Sequence, residues 1–290
     1  MPPESVDPVP LLTASRVTIV AGKGGVGKTT VTAVLARAAA DAGQRVLAIE
    51  LDGKPVLREL LGELPCQEIS ASKALTEYLS DHGFGRVAKR LSTSGVIDVV
   101  ATAAPGIDDI VVLGKIKQLE RSGEWDVIVV DGPAAGHAVT FLTSAAGLHD
   151  AVRGGPVRVQ ADEVLELLRD PTRSQVVLVT LPETTPVNEV IETAYALEDR
   201  VGVRLGPLVV NGVDRPARRV PRSYRVDDPE ADVLAEAARF RRARLDLQEA
   251  EMARLRSTLP LEQWELPLLP VAGMAAGEVA ELVATLRYAA

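Results

Sequence analysis

Residues 17–39 read VTIVAGKGGVGKTTVTAVLARAA: an apolar run, a glycine-rich octet, then a pattern of helical period. Within it Gly22 to Thr29 fits GxxxxGKT, and the strand before and helix after are the context that turns this pattern into a phosphate-binding loop. Gly22, Gly24, Gly25 and Gly27, with Val26 among them, let backbone N–H groups close around a β-phosphate, and the helix N-terminus adds a favourable dipole. Lys28 is placed to reach the β and γ oxygens. Thr29 offers its hydroxyl to Mg²⁺, and Thr30 continues the helix as the last of the phosphate-binding set.

Outward from this stretch, short apolar runs alternate with helical patterns. The runs are RVTIVAG (16–22), RVLAIELD (45–52), WDVIVVD (125–131), QVVLVTL (175–181), GPLVVNG (206–212) and WELPLLP (264–270). Enough residues lie between them for crossover helices, which predicts an α/β fold: a doubly wound, mostly parallel sheet in a single domain over 1–290. Helices are expected over 28–42, 56–61, 73–91, 107–121, 161–169, 188–200, 231–259 and 277–288. The segment 65–105 has helical patterning without a clear strand and reads as a helical insertion, as does 212–260. That second excursion opens with five arginines, Arg215, Arg218, Arg219, Arg222 and Arg225, in a proline-bearing loop. Residues 1–15, rich in proline, read as a disordered lead-in without the basic start and apolar core of a secretory signal.

Hydrophobic residues make up 47% of the 290 and aromatics only 3%, so the core must be built from Val, Leu, Ile and Ala, as in strands buried on both faces. The formal charge of −8 opposes non-specific attraction to nucleic acid or to an anionic membrane. No apolar run approaches the ~20 residues of a membrane-spanning helix, so no integral membrane segment is expected. Cys66 is the single cysteine, which rules out an intrachain disulfide, a CxxC zinc pair and a cysteine-ligated cluster within one chain. A reducing, cytoplasmic setting is expected.

Lys23 is the unusual residue of the loop. A phosphate loop has no need of a cation at its second position, and a lysine there suits a neighbouring subunit's nucleotide, where it would neutralise charge between the β and γ phosphates as an arginine finger does. Asp52, at the C-terminal end of the second apolar run, stands where ligands of open α/β sheets bind and is a candidate to orient or deprotonate the attacking water, and to approach the metal. Glu50, two positions earlier, shares its strand face. Asp131 ends the next buried run and is placed to hold Mg²⁺, in part through water. Gly132, Pro133 and Gly136 then read as a loop able to rearrange with the γ-phosphate, with His137 starting the following helix.

The octet GKGGVGKT resembles the deviant Walker A loop of the class that includes MinD and ParA, the nitrogenase iron protein and the ArsA-like ATPases. DGPAAGHAVTFL and PGIDDIVVLGKI narrow the resemblance to ArsA-like and tail-anchored-protein-targeting ATPases, with the shorter actinobacterial members the most similar in layout. The resemblance implies ATP and ADP with Mg²⁺ as cofactors, and a dimer in which Lys23 works across the interface. It also implies Asp52 as the residue positioning the hydrolytic water and Asn211 as a reader of the adenine edge, a role its amide suits because it both donates and accepts. Glu183 is similar to a glutamate near nucleotide and interface, and Pro270 and Val271, in PVAGM, would pack around the base.

Departures narrow the expectation further. Arsenite pumps use several cysteines and two ATPase halves, against Cys66 and one phosphate loop here. The targeting ATPases' zinc pair and long Met-rich insertion are missing, with three methionines in the whole chain. The expected function is therefore a Mg²⁺-dependent ATP hydrolase acting as a dimeric switch, a homodimer or a heterodimer with a paralogue, serving a protein client. The alternatives are a MinD/ParA-type positioning ATPase and a regulatory nucleotide-binding subunit of a heterodimer. The arginine loop reads as solvated surface, a docking patch or, in a small-molecule kinase, a phosphate lid.

Overall fold

The computed structural model describes residues 8–51, 55–80, 106–215 and 231–286. Its centre is a seven-stranded sheet, and every strand pairing in it is parallel. The strands are β1 (Val17–Gly22), β2 (Val46–Glu50), β3 (Cys66–Glu68), β4 (Val127–Ala134), β5 (Ser174–Thr180), β6 (Leu205–Val213) and β7 (Gln263–Pro267). Across the sheet they run β3-β2-β4-β1-β5-β6-β7. All six apolar runs are strands, as the sequence predicts.

Alternation along each strand serves two cores. Ile19 and Ala21 face one layer of helices and Val20 the other, and Val176 and Leu178 likewise oppose Val177 and Val179. The first layer contains α4 (Ala71–Leu79), α5 (Ile107–Ser122), α6 (Ala135–Ala151), α7 (Pro156–Arg169), α8 (Thr184–Arg200) and the C-terminal part of α9 (Ala231–Thr258). The second contains α1 (Val9–Leu12), α2 (Lys28–Asp41), α3 (Val56–Leu61) and α10 (Ala276–Leu286). In α2 the buried Val31, Val34, Leu35 and Ala38 recur at helical spacing, which is why an alanine-rich segment folds onto the sheet as a helix.

The order of strands positions the site. From β1 the chain builds outward through β2 and β3, returns to β4 beside β1, then crosses to β5 on the other side of β1. The loop after β1 therefore emerges at the switch point between β4 and β5, at the C-terminal ends of the strands, where open α/β sheets bind ligands.

Three expectations need correction. Residues 8–15 are ordered: Leu12 is buried in the second core, Ser15 Oγ donates to Pro171 O at 2.6 Å, and Gln175 Nε2 donates to the carbonyls of Leu11 and Leu12 at 3.1 and 3.2 Å. Five apolar or small residues, VPLLT, are enough to close the sheet there, at the N-terminal end of the interior strand β5. The segment from 65 is not purely helical, because Cys66–Glu68 adds strand β3 to the edge beside β2; three residues without an apolar run carry no strand signal. Residues 132–134 extend β4 and α6 begins at Ala135, so the expected loop after Asp131 is strand leading into helix. Of the insertion helices, α4 ends at Leu79, and residues 81–91 of the expected 73–91 lie outside the described residues.

Candidate functional site

The loop between β1 and α2 is shaped by its glycines. A Cβ on Gly22 would lie 2.4 Å from Val179 O on the neighbouring strand, so no larger residue fits there. Gly25 and Gly27 have φ of +88° and +89°, the left-handed region that favours glycine. Gly27 is the N-cap of α2 and caps it without a side chain, which leaves the first-turn N–H groups pointing into the loop. Around Gly24 and Gly25 there is open space within 4 Å of an added Cβ. Such a cradle of backbone donors at a helix N-terminus fits a phosphate.

Lys28 Nζ donates back to Lys23 O at 3.2 Å, so this ammonium is folded over its own loop. The Lys23 ammonium turns the other way, to Glu189 Oε1 on α8 at 2.5 Å. Both side chains of that pair are a little over one-third exposed. Thr29 Oγ1 donates to Asp131 Oδ2 at 2.7 Å and Thr32 Oγ1 to Asp131 Oδ1 at 3.4 Å. A hydroxyl and a carboxylate meeting beside the cradle are hard oxygen donors of the kind Mg²⁺ takes. Thr30 lies in the first turn of α2 behind them.

Asn211, near the end of β6, donates through Nδ2 to Val26 O at 2.9 Å, and a Cβ on Gly27 would lie 2.3 Å from the same nitrogen. The amide is thus part of the loop's scaffold, a role the sequence reading did not include. Glu183 is the N-cap of α8, and Arg244 of α9 lies 3.6 Å from its Oε1. Glu183 and Arg244 line a cavity of about 730 Å³ with Thr184, Gly212, Arg241 and Leu268. Pro270 and Val271 lie on the exposed segment past β7, and the residue of that segment that reaches the cavity is Leu268. The structure therefore assembles the loop, Lys23, Lys28, Thr29, Asp131 and Asn211 in one place, with Glu183 at the N-cap of the helix that carries the Lys23 partner and Pro270 and Val271 outside that cluster.

Asp52 lies outside the described residues, as do Arg218, Arg219, Arg222 and Arg225. Glu50 is buried on β2, in register with Asp131 on β4. Arg215 pairs with Glu265. A second cavity, about 390 Å³, lies beside the strand-to-helix junction and is lined by Leu51, Pro133, His137, Phe141, Asp108 and Asp109. Burial pushes the carboxyls of Asp108 and Asp109 up from the usual aspartate range, and for Asp109 the Asp108 charge adds to this while His137 opposes it. Cys66, on the edge strand, is pushed up by burial and by the Glu50 carboxylate, which favours the neutral thiol.

Glu189 and Thr32 were missed in the sequence. Thr32 follows Thr29 by three and so shares its helix face; Glu189 carried no local signal, because the Lys23 contact spans 166 positions.

A profile of the anion-transporting ATPase family matches residues 15–153. The ATPase BagA of Mycobacterium tuberculosis is 30% identical over 270 residues, covering 84% of this chain and 78% of that protein. The arsenical pump-driving ATPase of Escherichia coli is 30% identical over 196 residues, covering 66% of this chain but 33% of that protein. A similar match, 29% identical over 195 residues, is made with the arsenical pump-driving ATPase of Acidiphilium multivorum. The family match over residues 15–153 spans the phosphate loop and Asp131, and with the 30% identity to BagA over most of both proteins it shows that the chain belongs to the ArsA-like family of P-loop ATPases.

Proposed function

We propose that the chain is a Mg²⁺-dependent dimeric switch in which ATP draws two protomers together and hydrolysis lets them relax. The observation that carries this reading is the divergence of two ammonium groups from one loop: Lys28 Nζ bends back to Lys23 O, while Lys23 Nζ leaves the cradle for Glu189. A cation built into the loop but aimed out of it is suited to a phosphate chain held by another protomer. Thr29 and Asp131 would hold Mg²⁺, Asp131 partly through water. When bound, that ion supplies charge neutralisation along the phosphates. Gly22 to Thr30 would enclose the phosphates of ATP or ADP. Asp52 would position the water, a role that rests on the family resemblance. Asn211 would hold the loop while its remaining amide atoms face the base, with Glu183 near the interface and Pro270 and Val271 against the ring.

The second protomer is a copy of this chain or a paralogue. The client is a protein, because one cysteine per chain is a poor metalloid site. The free thiol fits a reducing, cytoplasmic setting, and the net negative charge disfavours nucleic acid.

The test is the ATPase rate per subunit against protein concentration. It should rise with concentration in the wild type. Lys23→Ala should lower the plateau about 100-fold or more, the scale of a lost transition-state donor. A rate independent of concentration and unaffected by the substitution rejects the switch.

A further inference from the structure

Glu189 sits on α8, whose inward residues Val187, Val190, Ala194 and Leu197 are buried against the sheet, so its carboxylate projects from a fixed platform. Thr193 Oγ1 donates to the Glu189 carbonyl at 2.7 Å, a contact within the same helix. Lys23 is held at both ends: its carbonyl accepts from Lys28 Nζ at 3.2 Å, and its ammonium meets Glu189 Oε1 at 2.5 Å. The pair is more than one-third exposed, so it adds little to the stability of the fold. What it does decide is the direction of the Lys23 side chain. A carboxylate and an incoming phosphate chain compete for the same ammonium, and only one can hold it at hydrogen-bond distance.

We propose that Glu189 is a positioning residue that holds the Lys23 ammonium within its own protomer and yields it when a second protomer presents its nucleotide. This rests on the trans role of Lys23 proposed above. Glu189 then sets the protein concentration at which paired protomers become active, because separating the ion pair is part of the cost of docking. It also keeps the lysine away from the phosphates of its own protomer until that moment.

Two measurements test this separately. In nucleotide-free protein, acetic anhydride labelling of Lys23, read by mass spectrometry, should be about two- to five-fold faster in Glu189→Gln than in the wild type, the range open to a partly exposed ion pair. Glu189→Asp, which keeps the charge, should return it toward the wild-type rate. In the ATPase assay, the half-saturating protein concentration should fall by a similar factor of about two to five in Glu189→Gln. On a Lys23→Ala background the same substitution should produce no such fall. Equal labelling rates overturn the proposal, since the pair would then not hold the ammonium in solution. Faster labelling with an unmoved half-saturating concentration also overturns it, because the contact would then be structural alone. If the wild-type rate is flat with concentration, the trans reading of Lys23 fails, and the labelling ratio still reports whether Glu189 engages the lysine.

Discussion

Thr29 Oγ1 and Asp131 Oδ2 lie 2.7 Å apart although 102 positions separate them in the chain, and the hydroxyl donates to the carboxylate. The contact joins the first turn of α2 to the middle of β4, the two elements that flank the phosphate cradle. It follows from parallel pairing of β1 with β4, which sets Val20 beside Asp131. Asp131→Asn should weaken Mg²⁺ about 10- to 100-fold, the scale for residues that act on a metal through water or a neighbouring ligand. Thr29→Ala should do at least as much. Mg²⁺ titration of fluorescent-nucleotide binding reads both; unchanged midpoints would remove the pair from the metal site.

Gly25 and Gly27 share a left-handed φ but not their surroundings. Gly25→Ala meets open space and should cost about 1–2 kcal/mol in backbone strain. Gly27→Ala meets the same strain and pushes Asn211 Nδ2 off Val26 O, so its cost should be about 2–4 kcal/mol. Urea unfolding of the two variants checks the order. Equal costs would mean that the Asn211 contact contributes nothing.

Asn211→Asp replaces the donor that faces Val26 O with a charged acceptor. If the amide chiefly braces the loop, affinity for ATP and GTP should fall together, by about tenfold or more for a hydrogen bond turned into a repulsion. If it chiefly reads adenine, ATP affinity should fall and GTP affinity should not. Competition binding with the two nucleotides separates the roles, and we expect the common fall.

Two carboxylate groups should give opposite pH responses. The Arg45 side chain and backbone N–H bonded to Asp126 lower its carboxyl to about 2, so that contribution to stability is complete above about pH 4 and is lost as pH falls toward about 2. Burial raises Asp108 and Asp109, so the folded state holds more protons than the unfolded one, and stability declines as pH rises from about 4 through their raised values. Asp109→Asn should therefore raise the Tm at pH 7 and leave it unchanged near pH 4. A Tm shift of the opposite sign would contradict the assigned cause.

Leu12 is 1% exposed and packs in the second core, under a segment that composition marks as a lead-in. Leu12→Ala should cost about 2–5 kcal/mol if the site does not collapse. Denaturant unfolding measures it, and a loss below about 0.5 kcal/mol would return residues 8–15 to the status of a tail.

The core strands were legible because each is a run of branched apolar residues buried on both faces, and burial leaves little choice of residue. The phosphate loop was legible for a related reason: Gly22 is confined by Val179 O, and Gly27 by its φ and by Asn211. Strand β3 was not legible, since an edge strand of three residues is held by backbone pairing with β2 and needs no apolar side chain. The ordered residues 8–15 were obscured by prolines that mark a helix start as readily as a disordered tail.

From the sequence alone come the fold class, the loop and its two lysines, the Asp131 carboxylate of β4 and the family, because each rests on residues close together in the chain. Where those side chains point was decided by tertiary structure. Lys23 meets Glu189 across 166 positions and Asn211 meets Val26 across 185, distances over which no local pattern operates. Such contacts exist only once the parallel sheet has placed α8 and the end of β6 beside the loop, and that placement comes from packing two helix layers onto one set of strands.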